Sequence, residues 1–145
     1  ITNGAIVDQK RETSVEGIFA CGNALHVHDL VDYVSEESSQ AGLGAAKYLK
    51  GELNLTGDVT KTVGGNGVSY VGPQQYRWDN IEKDIVFKFR VRKPYHNVKV
   101  VVKADDKIIR TIVKPHMLPA EMEMLKLKKE ILEKASVLTI EVKED

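Results

Sequence analysis

The chain has 145 residues, of which 42% are hydrophobic and 29% charged, enough for one ordinary domain or two small ones around a buried core. Its 21 basic and 21 acidic side chains balance, so net charge points to neither nucleic acid nor an anionic membrane surface. No apolar run approaches a membrane span and the opening residues do not read as a signal peptide, while a single cysteine, Cys21, excludes an internal disulfide framework and suits a reducing cytoplasm.

Charge is uneven along the chain. Residues 1 to 50 hold 4 basic and 7 acidic side chains, whereas residues 66 to 145 hold 16 and 12. Between them, Thr56-Gly57-Asp58 and Gly64-Gly65-Asn66-Gly67 favour turns and offer little side chain to pack. The expectation is a first part over 1–50, a linker over 51–67 and a second part over 68–145. The chain opens on Ile1, and its first feature, Gly4 to Asp8, reads as a strand in want of a partner. Both suggest a fragment of a longer protein.

In the first part, Gly4-Ala5-Ile6-Val7-Asp8 and Gly17-Ile18-Phe19-Ala20-Cys21 are short apolar runs bounded by turn formers, and they predict two strands. The second run stops at Gly22-Asn23, residues that tolerate unusual backbone angles and close approach by a ligand. Ser35 followed by Glu36 and Glu37 has the order of a cap and first-turn acids, predicting a helix over 36–50 that Gly51 ends. Ala41, Gly42, Gly44, Ala45 and Ala46 make this helix small-sided, so another backbone can pack closely against it.

In the second part, Ile85, Phe87, Phe89 and Val91 alternate with Lys88, Arg90 and Arg92, the pattern of a half-buried strand. Asn97 to Ala104 and Lys107 to Lys114 flank Asp105-Asp106 as a hairpin, Ser136 to Val142 alternates again, and Val68 to Val71 suits an edge strand. Pro119 to Lys134 reads as a strand to about Leu127 followed by a helical turn, with one amphipathic helix as the alternative. The strands together predict an antiparallel β-sandwich.

His26-Val27-His28-Asp29, with Asp32 nearby, has the residue types of a metal box, but a packed or ligand-adjacent polar loop is the stronger reading. Cys21 has no C-x-x-C partner and reads as a small buried hydrophobe. Neither Gly42-x-Gly44 nor Gly64 to Gly67 completes a dinucleotide fingerprint. The basic residues of the 85–92 strand lack interleaved aromatics, so a solvated face is expected there rather than a nucleic-acid site.

Thr13-Ser14-Val15-Glu16-Gly17-Ile18-Phe19-Ala20-Cys21-Gly22-Asn23 resembles the second FAD motif of pyridine-nucleotide-dependent flavoprotein oxidoreductases, where the pattern is T-S-x-x-G-I-F-A-x-G-D. Ser38 to Ala46 is similar to the small-residue helix that follows it, so the likeness covers about the first third of the chain. Asn23 to Asp32 resembles a subgroup associated with FAD-dependent glycerol-3-phosphate dehydrogenase-like proteins, in which a β-rich region follows the flavin domain. The resemblance implies an α+β chain: a terminal segment of an FAD-binding domain, made of a strand pair and a helix, then the β-sandwich. It implies that Gly22 allows close main-chain approach to FAD and that Asn23, in place of the family's acid, meets the ribityl chain. Val34 and Ser35 are then the amide donors toward the flavin, at the start of the helix.

The first FAD fingerprint, the NAD(P) domain and the redox disulfide are absent from this sequence, so no residue is assigned a catalytic or metal-binding role and the chain alone is expected to be inactive. FAD, and NAD or NADP at a site outside the chain, are the implied cofactors of the parent oxidoreductase. The implied partners are the remainder of the FAD and NAD(P) domains, with a glycerol-3-phosphate dehydrogenase-like flavoprotein subunit or a second copy of the chain beyond them. A non-catalytic sandwich that serves as an interaction module and a metal-dependent hydrolase using His26 and His28 are the competing expectations.

Overall fold

The computed structural model describes residues 3 to 144. Ile1, Thr2 and Asp145, at the outer ends of the two expected parts, lie outside the described residues. One helix, α1 (Val31–Leu49), precedes eight strands: β1 (Val59–Gly64), β2 (Val68–Gly72), β3 (Gln75–Arg77), β4 (Asp84–Val91), β5 (Tyr95–Ala104), β6 (Lys107–Met117), β7 (Glu123–Lys128) and β8 (Val137–Lys143). The strands form a five-stranded sheet, ordered β3-β1-β8-β5-β6, and a three-stranded sheet, β2-β4-β7. Every pairing is antiparallel except β1 with β8. The chain is thus α+β, with a β-sandwich-like body.

Alternation decides what fills the sandwich. Phe87, Phe89 and Val91 of β4, Val98, Val100 and Val102 of β5, and Leu138, Ile140 and Val142 of β8 form one buried cluster. Burial of each such side chain contributes about 1.5–3 kcal/mol. The β5–β6 hairpin turns at Asp105, whose φ of 50° is one that Asp tolerates. Its carboxylate then accepts the amides of Ser136 and Val137, at 3.1 Å each, and so ties the hairpin to the start of β8. After β7, Leu132 N donates to Lys128 O at 3.2 Å, closing the expected helical turn.

The segment expected to link the two parts does more than connect them. Val59–Gly64 is β1, lying between β3 and β8 inside the larger sheet. Its inward residues are Thr60 and Thr62, while Val59, Lys61 and Val63 face out. Their hydroxyls donate to the carbonyls of Ala135 and Pro73. Threonines inside and valines outside invert the usual pattern, which is why hydrophobic periodicity passed over this strand.

The two expected strands at 4–8 and 17–21 reduce to isolated bridges, Val7 with Thr13 and Glu12 with Phe19. Within these residues no neighbouring strand continues either ladder, and a strand without a continuous partner leaves its backbone groups to turns. Instead Asp8, 1% exposed, accepts the amides of Lys10 (2.8 Å) and Glu12 (3.1 Å) through Oδ1 and tightens the turn between them. Gln9 bonds this turn to the sandwich, exchanging side-chain hydrogen bonds with the Arg77 carbonyl (2.7 Å) and amide (3.0 Å).

The helix begins at Val31, five residues before the expected start at Glu36. Ser35 is therefore not the cap: its Oγ donates back to the Val31 carbonyl at 3.3 Å. The residue before the first turn is Leu30, and no side chain caps the helix. No helix among the described residues is long and apolar enough to cross a membrane.

Candidate functional site

Gly22 and Glu37 organise the region where the resemblance places a cofactor. The motif run ends in a 3-10 turn, Gly22–Ala24, entered by Gly22 at φ +65°. At that angle a side chain is strained, and an added Cβ would also lie 3.2 Å from Val34 Cγ1. The Gly22 amide donates to Glu37 Oε2 at 2.9 Å. Glu37 stands one and nearly two turns before Ala41 and Gly44, on the buried stripe of α1.

Four more groups converge on that carboxylate. His26 Nε2 lies 3.4 Å from Oε1 and His28 Nε2 lies 2.8 Å from Oε2. Arg11 Nε approaches Oε1 to 3.3 Å and Lys88 Nζ to 3.9 Å. All four side chains are at most 7% exposed. Both imidazoles present Nε2 to an acceptor-only group, which assigns the proton to that nitrogen in each ring. Burial alone would push the Glu37 carboxyl up, but hydrogen bonds from His26 and His28 and the charge of Arg11 outweigh it and hold the group at about 2. Burial likewise pushes Lys88 down, opposed by Glu37.

Two imidazoles and a carboxylate are a common ligand set for zinc, and their ligand atoms lie within 4.8 Å of one another. Arg11 and Lys88 stand on the same carboxylate, so a dication there would meet repulsion from both. Asp8 and Glu36 also act on Arg11, and the group as built is an ion-pair hub. Asp32, grouped with the histidines by sequence proximity, instead lies exposed in the first turn of α1.

Of the four expected cofactor residues, Val34 and Ser35 sit inside α1 rather than at its first residue. Gly22 faces Val34, whose Cγ1 would lie 3.2 Å from an added Cβ. Asn23 is exposed, and its Oδ1 accepts the His28 amide at 3.2 Å, drawing the 23–28 loop together. Val34 and Ser35 lie past the open end of α1, where amides bond to carbonyls four residues back. The amides with no intrahelical acceptor in the first turn are those of Val31 and Asp32, since Tyr33 N donates to Leu30 O at 3.2 Å.

Sequence reasoning missed Glu37, Arg11 and Lys88. Glu37 passed for a first-turn acid because the helix start was placed late. Its signal was position: an acid in line with Ala41 and Gly44 belongs to the buried stripe. Lys88 and Arg90 were expected on a solvated face, yet Lys88 is 2% exposed and Arg90 forms an ion pair with Asp29. The outward face of β4 is covered by residues 26–37, a long-range contact that local alternation cannot register.

Comparison of the chain with protein-family models, with curated proteins and with solved structures finds no match.

Proposed function

We propose that this chain is a C-terminal part of an FAD-dependent oxidoreductase that passes hydride equivalents between NAD(P)H and FAD. In this reading residues 1–50 complete the flavin domain, the sandwich is appended to it, and the isolated chain is inactive in a cytoplasmic parent enzyme. The observation that carries the reading is the joint placement of the motif's end and the helix's open end. Gly22, at positive φ, donates its amide to Glu37 and would meet Val34 with an added Cβ, so the motif's end packs against the first two turns of α1, whose first turn is uncapped, while Asn23 beside it stays exposed. Exposed Val27, Leu30 and Val31 border it. That donor set, beside an apolar border, fits the polar edge of an aromatic ring system that gains negative charge on reduction. Bound FAD would supply the hydride-accepting ring.

The distribution of uncovered apolar surface supports the same partner. Eight of the thirteen large apolar side chains exposed among the described residues lie between Ile6 and Leu49, in about a third of the chain. Single exposed apolar residues need no explanation, and the concentration in this third of the chain is what a flavin domain lacking its remainder would leave uncovered. In our reading the remainder of the FAD domain covers it.

The test is to express the chain together with the coding sequence immediately upstream of Ile1. The expected product is yellow, with flavin absorbance that bleaches on addition of NADH or NADPH. A colourless product that binds a protein partner stoichiometrically would instead support the interaction-module reading. Within the flavin-loaded protein, Asn23→Asp keeps the acceptor used by the His28 amide, so stability should stay within about 0.5 kcal/mol. FAD affinity or midpoint potential should nevertheless shift, because a charge then faces the flavin region. No change in either places Asn23 away from the cofactor.

A further inference from the structure

The outer face of the three-stranded sheet sends three polar side chains toward the segment that begins α1. Lys88 and Arg90, two residues apart on β4, share that face, and Tyr70 of β2 is the cross-strand partner of Arg90. Tyr70 Oη lies 3.3 Å from His26 Nδ1, and Lys88 faces Glu37. Arg90 makes the densest contact. Its guanidinium ion-pairs with Asp29 and donates to the carbonyls of Val27 (3.0 Å) and Ala120 (2.5 Å). Met122 N donates to the other Asp29 oxygen at 2.7 Å.

This clamp acts where the helix lacks a cap of its own. Leu30 precedes the first turn and offers no side-chain acceptor, so nothing local holds the open amides of Val31 and Asp32 in place. Asp29, the residue before Leu30, is fixed from the sandwich on both carboxylate oxygens. We infer that the sandwich is a positioning element for the cofactor edge, with Arg90 as its positioning residue. This rests on the flavin reading.

The test has two arms. In the chain itself, Arg90→Gln should speed amide hydrogen exchange at His28 and Tyr33, the hydrogen-bonded amides of the 27–33 segment, by about tenfold or more, while exchange in β5 and β8 stays unchanged and reports that the sandwich is folded. Asp29→Asn removes the ion pair but keeps an acceptor for Met122, and should give a smaller change in the same residues. In the flavin-loaded longer polypeptide, Arg90→Gln should raise the FAD Kd and shift the flavin midpoint potential, with Arg90→Lys intermediate. Unchanged exchange at His28 and Tyr33 in both variants overturns the inference. So does faster exchange accompanied by an unaltered Kd and potential, because the clamp would then hold the loop without setting the site. A wild-type longer polypeptide that holds no flavin defeats the flavin reading before any variant is compared.

Discussion

Glu37→Gln is expected to destabilise the chain by about 3–5 kcal/mol, read as a fall in the urea midpoint at unchanged slope. Glutamine preserves the shape but removes the charge, leaving Arg11 and Lys88, at 4% and 3% side-chain exposure, without their anion. His26 and His28 also lose a charged acceptor. The same group predicts how the chain responds to acid. Its carboxyl sits at about 2 when folded against an ordinary 4.5, so its stabilisation is complete above pH 4.5 and is lost as pH falls toward 2. The shift corresponds to roughly 3 kcal/mol. Stability measured from pH 5 to pH 2 should therefore fall less steeply in Glu37→Gln than in the wild type. A loss below about 1 kcal/mol at neutral pH, with parallel acid profiles, would mean that the hub contributes no more than a surface ion pair.

Two glycines only two residues apart in α1 are expected to respond with opposite signs. A Cβ at Gly44 would drive into the carbonyl oxygen of Lys10 and reach 3.2 Å from Phe19 Cε1. The obstacle is backbone, which cannot rotate aside, so Gly44→Ala should cost about 1–3 kcal/mol. At Gly42 a Cβ meets nothing within 4 Å. There Gly42→Ala should stabilise the chain by up to about 1 kcal/mol, since glycine is the poorer helix former. Thermal unfolding of the two variants beside the wild type decides the matter. Equal stability of Gly44→Ala and wild type would show that α1 does not seat on the turn carrying Lys10. The pair also separates the two faces of the helix: Ala41 and Gly44 are buried, whereas Gly42 and Leu43 are exposed, on the side that the flavin reading gives to the rest of the FAD domain.

Local rules were sufficient for much of the sandwich. Alternation in Ile85 to Val91, in Val98 to Val102 and in Leu138 to Val142 reports burial because a half-buried strand has a period of two, and the side chains so selected are the core. The Asp105-Asp106 turn was legible for a similar reason, since turn residues act on their own backbone. β1 was not, because its inward threonines are satisfied by carbonyls 75 and 11 residues away. The start of α1 was misplaced because Ser35 carries a capping side chain, while the true start at Leu30 has none.

By itself the sequence determined the α+β composition, the strands of the core and, in Ala41 and Gly44 though not in Gly42 or Ala46, the close-packing stripe of the helix. All of these depend on spacing along the chain or on the conformational freedom of single residues. Only the tertiary structure decided that Glu37, rather than Asp32, meets His26 and His28, and that Lys88 and Arg90 are anchors rather than a solvated face. The ion pairs in those assignments join residues up to 61 positions apart, Asp29 and Arg90 among them. A buried charge is tolerated only where several partners surround it at once, and no local pattern records where those partners meet.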